Sequence, residues 1–172
     1  QVLINYAVSI AIVNVLKGYK LPKVAVKWPN DILSSNKKIC GILVENVMLK
    51  DEIKCSYIGI GLNVNQTIFP NHLNATSILK ETNKEVNIDA VLNHLISELK
   101  TQVSYITNET TNVLKKNYLK HLFKKNTPMM FKNNKNVVFM GKIIGVSSVG
   151  KLQIELEDDS IEEFGIKEIK FA

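Results

Sequence analysis

The sequence predicts an α+β fold: a mixed or antiparallel sheet packed on helices, followed by a small SH3-like β-barrel. Three observations carry this. Val2 to Gly18 is apolar nearly all round, as a helix buried against a sheet is. Two stretches, Lys37 to Glu45 and Ile58 to Asn65, read as strands that carry bare or polar residues at alternate positions. From Thr127 to Ala172 the pattern changes to period two, with turn residues recurring between short apolar runs. The composition shift near residue 126 divides the chain into 1–126 and 127–172.

Taken in order, Gly18 stands where the C-terminal stop of the first helix belongs. Val24 to Trp28 is a short strand ended by Pro29. Asn30-Asp31 and Ser34-Ser35-Asn36 mark turns. The two central strands follow, joined as a hairpin through Lys50-Asp51-Glu52. Residues two apart in a strand share a face. Ile58, Ile60, Leu62 and Val64 therefore line a core side. Gly59, Gly61, Asn63 and Asn65 line the other, a strip of bare backbone ending in amides and suited to a ligand lying flat on the sheet. Matching faces across the hairpin sets Gly41 near Asn63 and Leu43 near Gly61.

Gln66 to Ala75 is an irregular loop, after which Thr76 or Ser77 can N-cap a short helix. Asp89 caps a long helix running to about Ile106, with Val91, Leu92, Leu95, Ile96, Leu99 and Val103 as its apolar stripe. A further helix, roughly Glu109 to Phe123, carries lysines on its outer face. The remaining apolar pairs, from Met129/Phe131 to Ile169/Phe171, make a five-strand unit.

A chain of 172 residues with 45% hydrophobic and 22% charged residues is ordinary for a globular protein. The formal charge of +6 favours anionic ligands or partners only weakly. All 22 basic residues are lysines, so phosphate binding must rely on Lys and backbone N–H groups rather than Arg forks. Cys40 and Cys55 are too few for a disulfide framework and fall out of register in the hairpin. Free thiols fit a reducing compartment, and the expected location is cytoplasmic. The run Ile4 to Leu16 is too short to span a bilayer. The first residue is Gln1, so the chain reads as the C-terminal part of something longer.

The chemistry concentrates between Lys27 and Asn65. Gly59-x-Gly61 lacks the third glycine and the following helix of a dinucleotide fingerprint. Lys27 and Lys38 are both candidate phosphate-directed cations. Strict parity sets Lys38 with Cys40 and Ile42, away from Gly41, although a bulge at the strand mouth could re-aim it. The residues alone do not choose between the two lysines. Asn30 and Asp31 read first as turn formers. His72, His94 and His121 have no metal-ligand spacing, and no nucleophile–base set is visible.

Lys27-Trp28-Pro29-Asn30-Asp31, Lys38-Ile39-Cys40-Gly41-Ile42-Leu43-Val44-Glu45 and Gly59-Ile60-Gly61-Leu62-Asn63-Val64-Asn65 together resemble the motifs of biotin–protein ligases. Phe69-Pro70, Ala75-Thr76-Ser77-Ile78 and the terminal β unit are similar to that family as well. The resemblance implies a ligase that converts biotin and ATP, with Mg2+, to biotinyl-5′-AMP and pyrophosphate. The acyl group then passes to a lysine of a biotin carboxyl carrier protein. It implies Lys38 as the catalytic residue, touching the biotin carboxylate and the ATP α-phosphate, with Gly41 and Leu43 beside the biotin. Lys27, Asn30, Asp31, Gly59, Gly61 and Asn63 would border the nucleotide, with the metal near Asp31. A homodimer is compatible with it. The family's Gly-Arg-rich biotin loop lies upstream of Gln1, so the chain alone is expected to be inactive. Two alternatives stand beside this reading: a lipoate or other acyl ligase of the same fold, and a nucleic-acid-binding module using the lysines between Lys115 and Lys135.

Overall fold

The computed structural model describes residues 2–50, 52–106 and 110–172. They fall into two compact units, 3–121 and 122–172. In the first, α1 (Val2–Gly18) buries Tyr6 to Val13, Val15 and Leu16, as its all-round apolar sequence requires. The sheet order is β1 (Ala25–Lys27), β2 (Asp31–Ser34), β3 (Lys37–Leu49), β4 (Glu52–Leu62), and every neighbouring pair is antiparallel.

Strand β2 corrects the expectation that Asp31 belongs to a turn. The turn is confined to Trp28–Asn30, and Asp31 already pairs with Lys27. Burial of Ile32, Leu33 and Ser34 favours the extended chain over a loop. Asn5 Nδ2 of α1 donates to Pro29 O at 3.0 Å and ties the turn down. Ser35 and Asn36, with φ of 47° and 66°, close the next hairpin in the left-handed geometry that a two-residue turn between twisted strands prefers.

The β3–β4 register also differs from the expectation. Gly41 stands opposite Gly61, and Leu43 opposite Gly59. Leu49 stands opposite Glu52, and a bulge between Val47 and Met48 adds one residue to the register. That pairing alone would set Gly41 opposite Ile60. The bulge restores the parity and brings the bare faces of both strands together.

Ser77 caps α2 (Ile78–Thr82), its Oγ accepting from Lys80 N at 3.1 Å. The cap of α3 (Ile88–Ser104) is Asn87, whose Oδ1 accepts from Ala90 N, rather than Asp89. This helix buries a narrower stripe than expected: Val91, Leu95 and Gln102 are inside, while Leu92, Ile96 and Val103 are exposed. Helix α4 (Thr111–Lys120) follows, and Glu109, its expected start, lies outside the described residues.

The second unit is a five-stranded antiparallel sheet of β5 (Pro128–Asn133), β6 (Val138–Val146), β7 (Leu152–Leu156), β8 (Ile161–Phe164) and β9 (Ile169–Phe171), in the order β8-β7-β6-β5-β9. Phe131, Ile143, Leu152 and Ile154 form its core. No closed barrel is found: among the described residues β8 and β9 remain edges, with four and three residues to offer.

Candidate active site

One row of cross-strand partners runs across the whole first sheet: Lys27, Asp31, Gly41 and Gly61. Directly opposed residues in antiparallel strands point to the same face. That face therefore carries a cation and an anion at one end and bare backbone at the other.

Lys38 joins this face through a bulge. Ile32 pairs with Cys40 but Leu33 with Lys38, so Ile39 is the extra residue in β3. Ile39 and Cys40 are consequently both buried in succession, and Lys38 is turned to the side of Asp31 and Gly41. Its ammonium lies 2.6 Å from Asp31 Oδ1. It also passes over Gly41, where an added Cβ would meet Nζ at 3.3 Å and Cε at 3.4 Å. The lysine that strict alternation sends elsewhere is thus brought to the glycine face, and Lys27 stands on the same face.

Gly59 and Gly61 are not required by the chain's own packing. A Cβ at Gly59 would make only ordinary contact with Leu43, and one at Gly61 would come no nearer than 3.9 Å to Gly41 O. Neither has a left-handed φ; the described glycine that does is Gly150. What a side chain there would obstruct is the open side of the sheet. Leu43, 58% exposed, borders the same strip.

The loop after β4 is sewn to Lys38 itself. Lys38 N donates to Asn74 O at 2.8 Å, Thr76 N donates to Lys38 O at 2.9 Å, and Lys38 and Ala75 form a parallel bridge. Phe69, Leu73, Asn74 and Ala75 thereby roof a cavity of about 270 Å³ with Lys38, Cys40, Gly41, Gly61 and Asn63 in its walls. Burial pushes the Cys40 thiol up to about 12, more than Lys38 beside it lowers it. This thiol is protonated at neutral pH and is no nucleophile. Among the described residues no group of three or more His, Cys, Asp or Glu could hold a metal ion.

Two of the amides do structural work. Asn30 Nδ2 donates to Ile42 O at 2.9 Å, and Ile42 N to Asn30 O at 2.8 Å. Asn63 Nδ2 donates to Thr76 O at 2.9 Å and its N–H to Ile39 O, binding the end of β4 to the loop. Asn63 still lines the cavity. Asn65 faces Val86 instead, exchanging two hydrogen bonds with its backbone. Asn74 is a wall residue that sequence reasoning missed, because a loop carries no periodicity to place it.

A protein-family model described as the Biotin/lipoate A/B protein ligase family matches residues 1–63. The chain is 31% identical over 169 residues to the bifunctional ligase/repressor BirA of Bacillus spizizenii, covering 95% of this chain and 50% of that protein. It is 34% identical over 152 residues to the protein of the same name from Bacillus subtilis, covering 86% and 44%. The chain thus spans about half the length of the curated relatives it matches. The solved structure of biotin protein ligase from Aquifex aeolicus in complex with biotin and ATP has the same fold, with a TM-score of 0.78 at 22% identity, over 100% of this chain and 72% of that one.

Proposed function

We propose that the chain, similar over most of its length to biotin protein ligases, supplies one wall of an active site that activates biotin with ATP and passes it to a lysine of a biotin carboxyl carrier protein. The observation that supports this most is Lys38, held over bare backbone between Asp31 and Gly41. A biotin carboxylate oxygen attacks the ATP α-phosphorus, and the bond to pyrophosphate breaks. Two anions must approach for this, and an ammonium between them offsets their repulsion and the charge that grows at the phosphorus. No general base is needed, because the carboxylate is already ionised. In the second step the carrier lysine amine attacks the acyl carbon and AMP leaves.

In this reading Gly41 and Leu43 border the biotin, and Lys27, Asn30, Asp31, Gly59, Gly61 and Asn63 border the nucleotide. The 66–76 loop would cover the adenylate and keep water from a reactive mixed anhydride. Mg2+ fits as a companion of the phosphates with Asp31 beside it, since among the described residues no cluster of three or more His, Cys, Asp or Glu could hold the ion. We assign residues 1–126 to the catalytic domain and 127–172 to the small SH3-like domain of the family, and the cytoplasm as the location.

The test is biotin-dependent ATP–pyrophosphate exchange by the full-length protein. Exchange with biotin but not lipoate supports the assignment, and exchange with lipoate alone would replace it by the lipoate branch of the same family model.

A further inference from the structure

A second cavity, of about 310 Å³, lies between α1, α3 and α4 and shares no residue with the Lys38 pocket. Ile10 and Val113 supply apolar wall; Gln102, Asn117, Lys120 and His121 supply polar groups. Gln102 is the unusual member. It occupies the buried row of α3, is 6% exposed, and its side-chain amide makes no hydrogen bond among the described residues. Gln102 lines the cavity, so this amide is available to a group bound there.

The rim is cationic. His121 Nδ1 donates to Asn117 O at 2.9 Å, which leaves Nε2 to accept from Lys17 Nζ at 2.5 Å. The ring is therefore the neutral tautomer. Among the described residues neither Lys17 nor Lys120 forms an ion pair with a carboxylate. Glu98, the acid presented by α3, accepts from Asn14 Nδ2 at 2.9 Å.

We propose that this cavity is a second binding site, for a short organic dicarboxylate: one carboxylate on Lys120 and the His121 edge, the aliphatic middle on Ile10 and Val113, and the far carboxylate on the Gln102 amide. An inorganic anion at the rim would leave both the apolar wall and Gln102 untouched. A carboxylate at the rim also favours the imidazolium. Binding is then coupled to proton uptake by His121, against Lys17 from α1 and Lys120 from α4, with Glu98 of α3 hydrogen-bonded to the cavity residue Asn14.

The experiment is an NMR titration of the His121 ring in the full chain with glutarate, and with inorganic phosphate as control. Saturable glutarate binding that raises the His121 titration midpoint is expected. Lys120→Gln and Gln102→Leu should each weaken it by about tenfold. Should Gln102→Leu not fold, Gln102→Glu keeps the shape and sets a like charge against the ligand, and is expected to weaken binding at least as much. The proposal is overturned if glutarate does not bind, if phosphate binds as well as glutarate, or if the folded Gln102 variant retains wild-type affinity.

Discussion

Lys38 reaches Asp31 across the β2–β3 pair at 2.6 Å because Ile39 is bulged out of the ladder between them. One extra residue in a strand reverses the face of everything before it. It moves the ammonium from the side of the buried Cys40 and Ile42 to the side of Gly41 and Gly61. The charge on which the proposed chemistry depends is aimed by backbone geometry.

Replacing Lys38 by Gln in the full-length protein removes that charge without removing bulk. Biotin-dependent ATP–pyrophosphate exchange should fall by roughly 100-fold or more, the scale of losing one charge-stabilising donor at a reacting centre. Near-wild-type exchange would sink the assignment.

Gly41→Ala tests the aim rather than the charge. The new methyl would crowd Lys38 Nζ and Cε at 3.3 and 3.4 Å and displace the end of a flexible side chain. Stability should change by less than about 1 kcal/mol, while adenylation drops by about ten- to a hundredfold. Urea unfolding and exchange kinetics on the same preparation separate the two effects.

Ser77→Ala should destabilise the first unit by about 1–3 kcal/mol. Ser77 Oγ caps α2 at Lys80 N and donates to Gln66 O at 2.6 Å, so the change leaves both ends of the 66–77 loop short of a partner. Urea midpoints for the wild type and variant measure the loss.

Tyr118→Phe should do the opposite of an ordinary core substitution. The Tyr118 ring stacks on Tyr6 with centroids 4.1 Å apart, and among the described residues neither buried hydroxyl has a hydrogen-bond partner. Deleting one hydroxyl keeps the stack and removes an unsatisfied group, so stability should stay level or rise by up to about 1 kcal/mol. A clear drop in melting temperature would mean that the hydroxyl is satisfied by bound water.

Burial, with Lys17 and Lys120 adding to it, holds the His121 imidazole below its ordinary 6.5 despite the bond to Asn117 O. The unfolded chain therefore binds this proton more readily than the folded one. Stability from this group is present above about pH 6.5 and is lost as pH falls through the folded-state value. A His121→Gln variant should show a flatter stability profile on the acid side of neutrality than the wild type, read from urea midpoints at successive pH values.

The sequence by itself determined the α+β class, the buried first helix, the bare strip Gly59-x-Gly61 and a helix cap at Thr76 or Ser77. Each of these is written in local periodicity or in the chemistry of one or two neighbouring residues. Tertiary structure decided the rest of the site. Alternation along β3 could not show that Ile39 drops out of the ladder, because bulges arise from how two strands pair and both Ile39 and Cys40 find room in the core. The Gly41–Gly61 register depended on a second bulge, at Val47/Met48, and Asn74 reached the cavity only through the backbone of Lys38. The stripe of α3 was narrower than its pattern, since a helix buries only what its neighbours cover. The sequence supplied the groups, and pairing between distant strands set where they point.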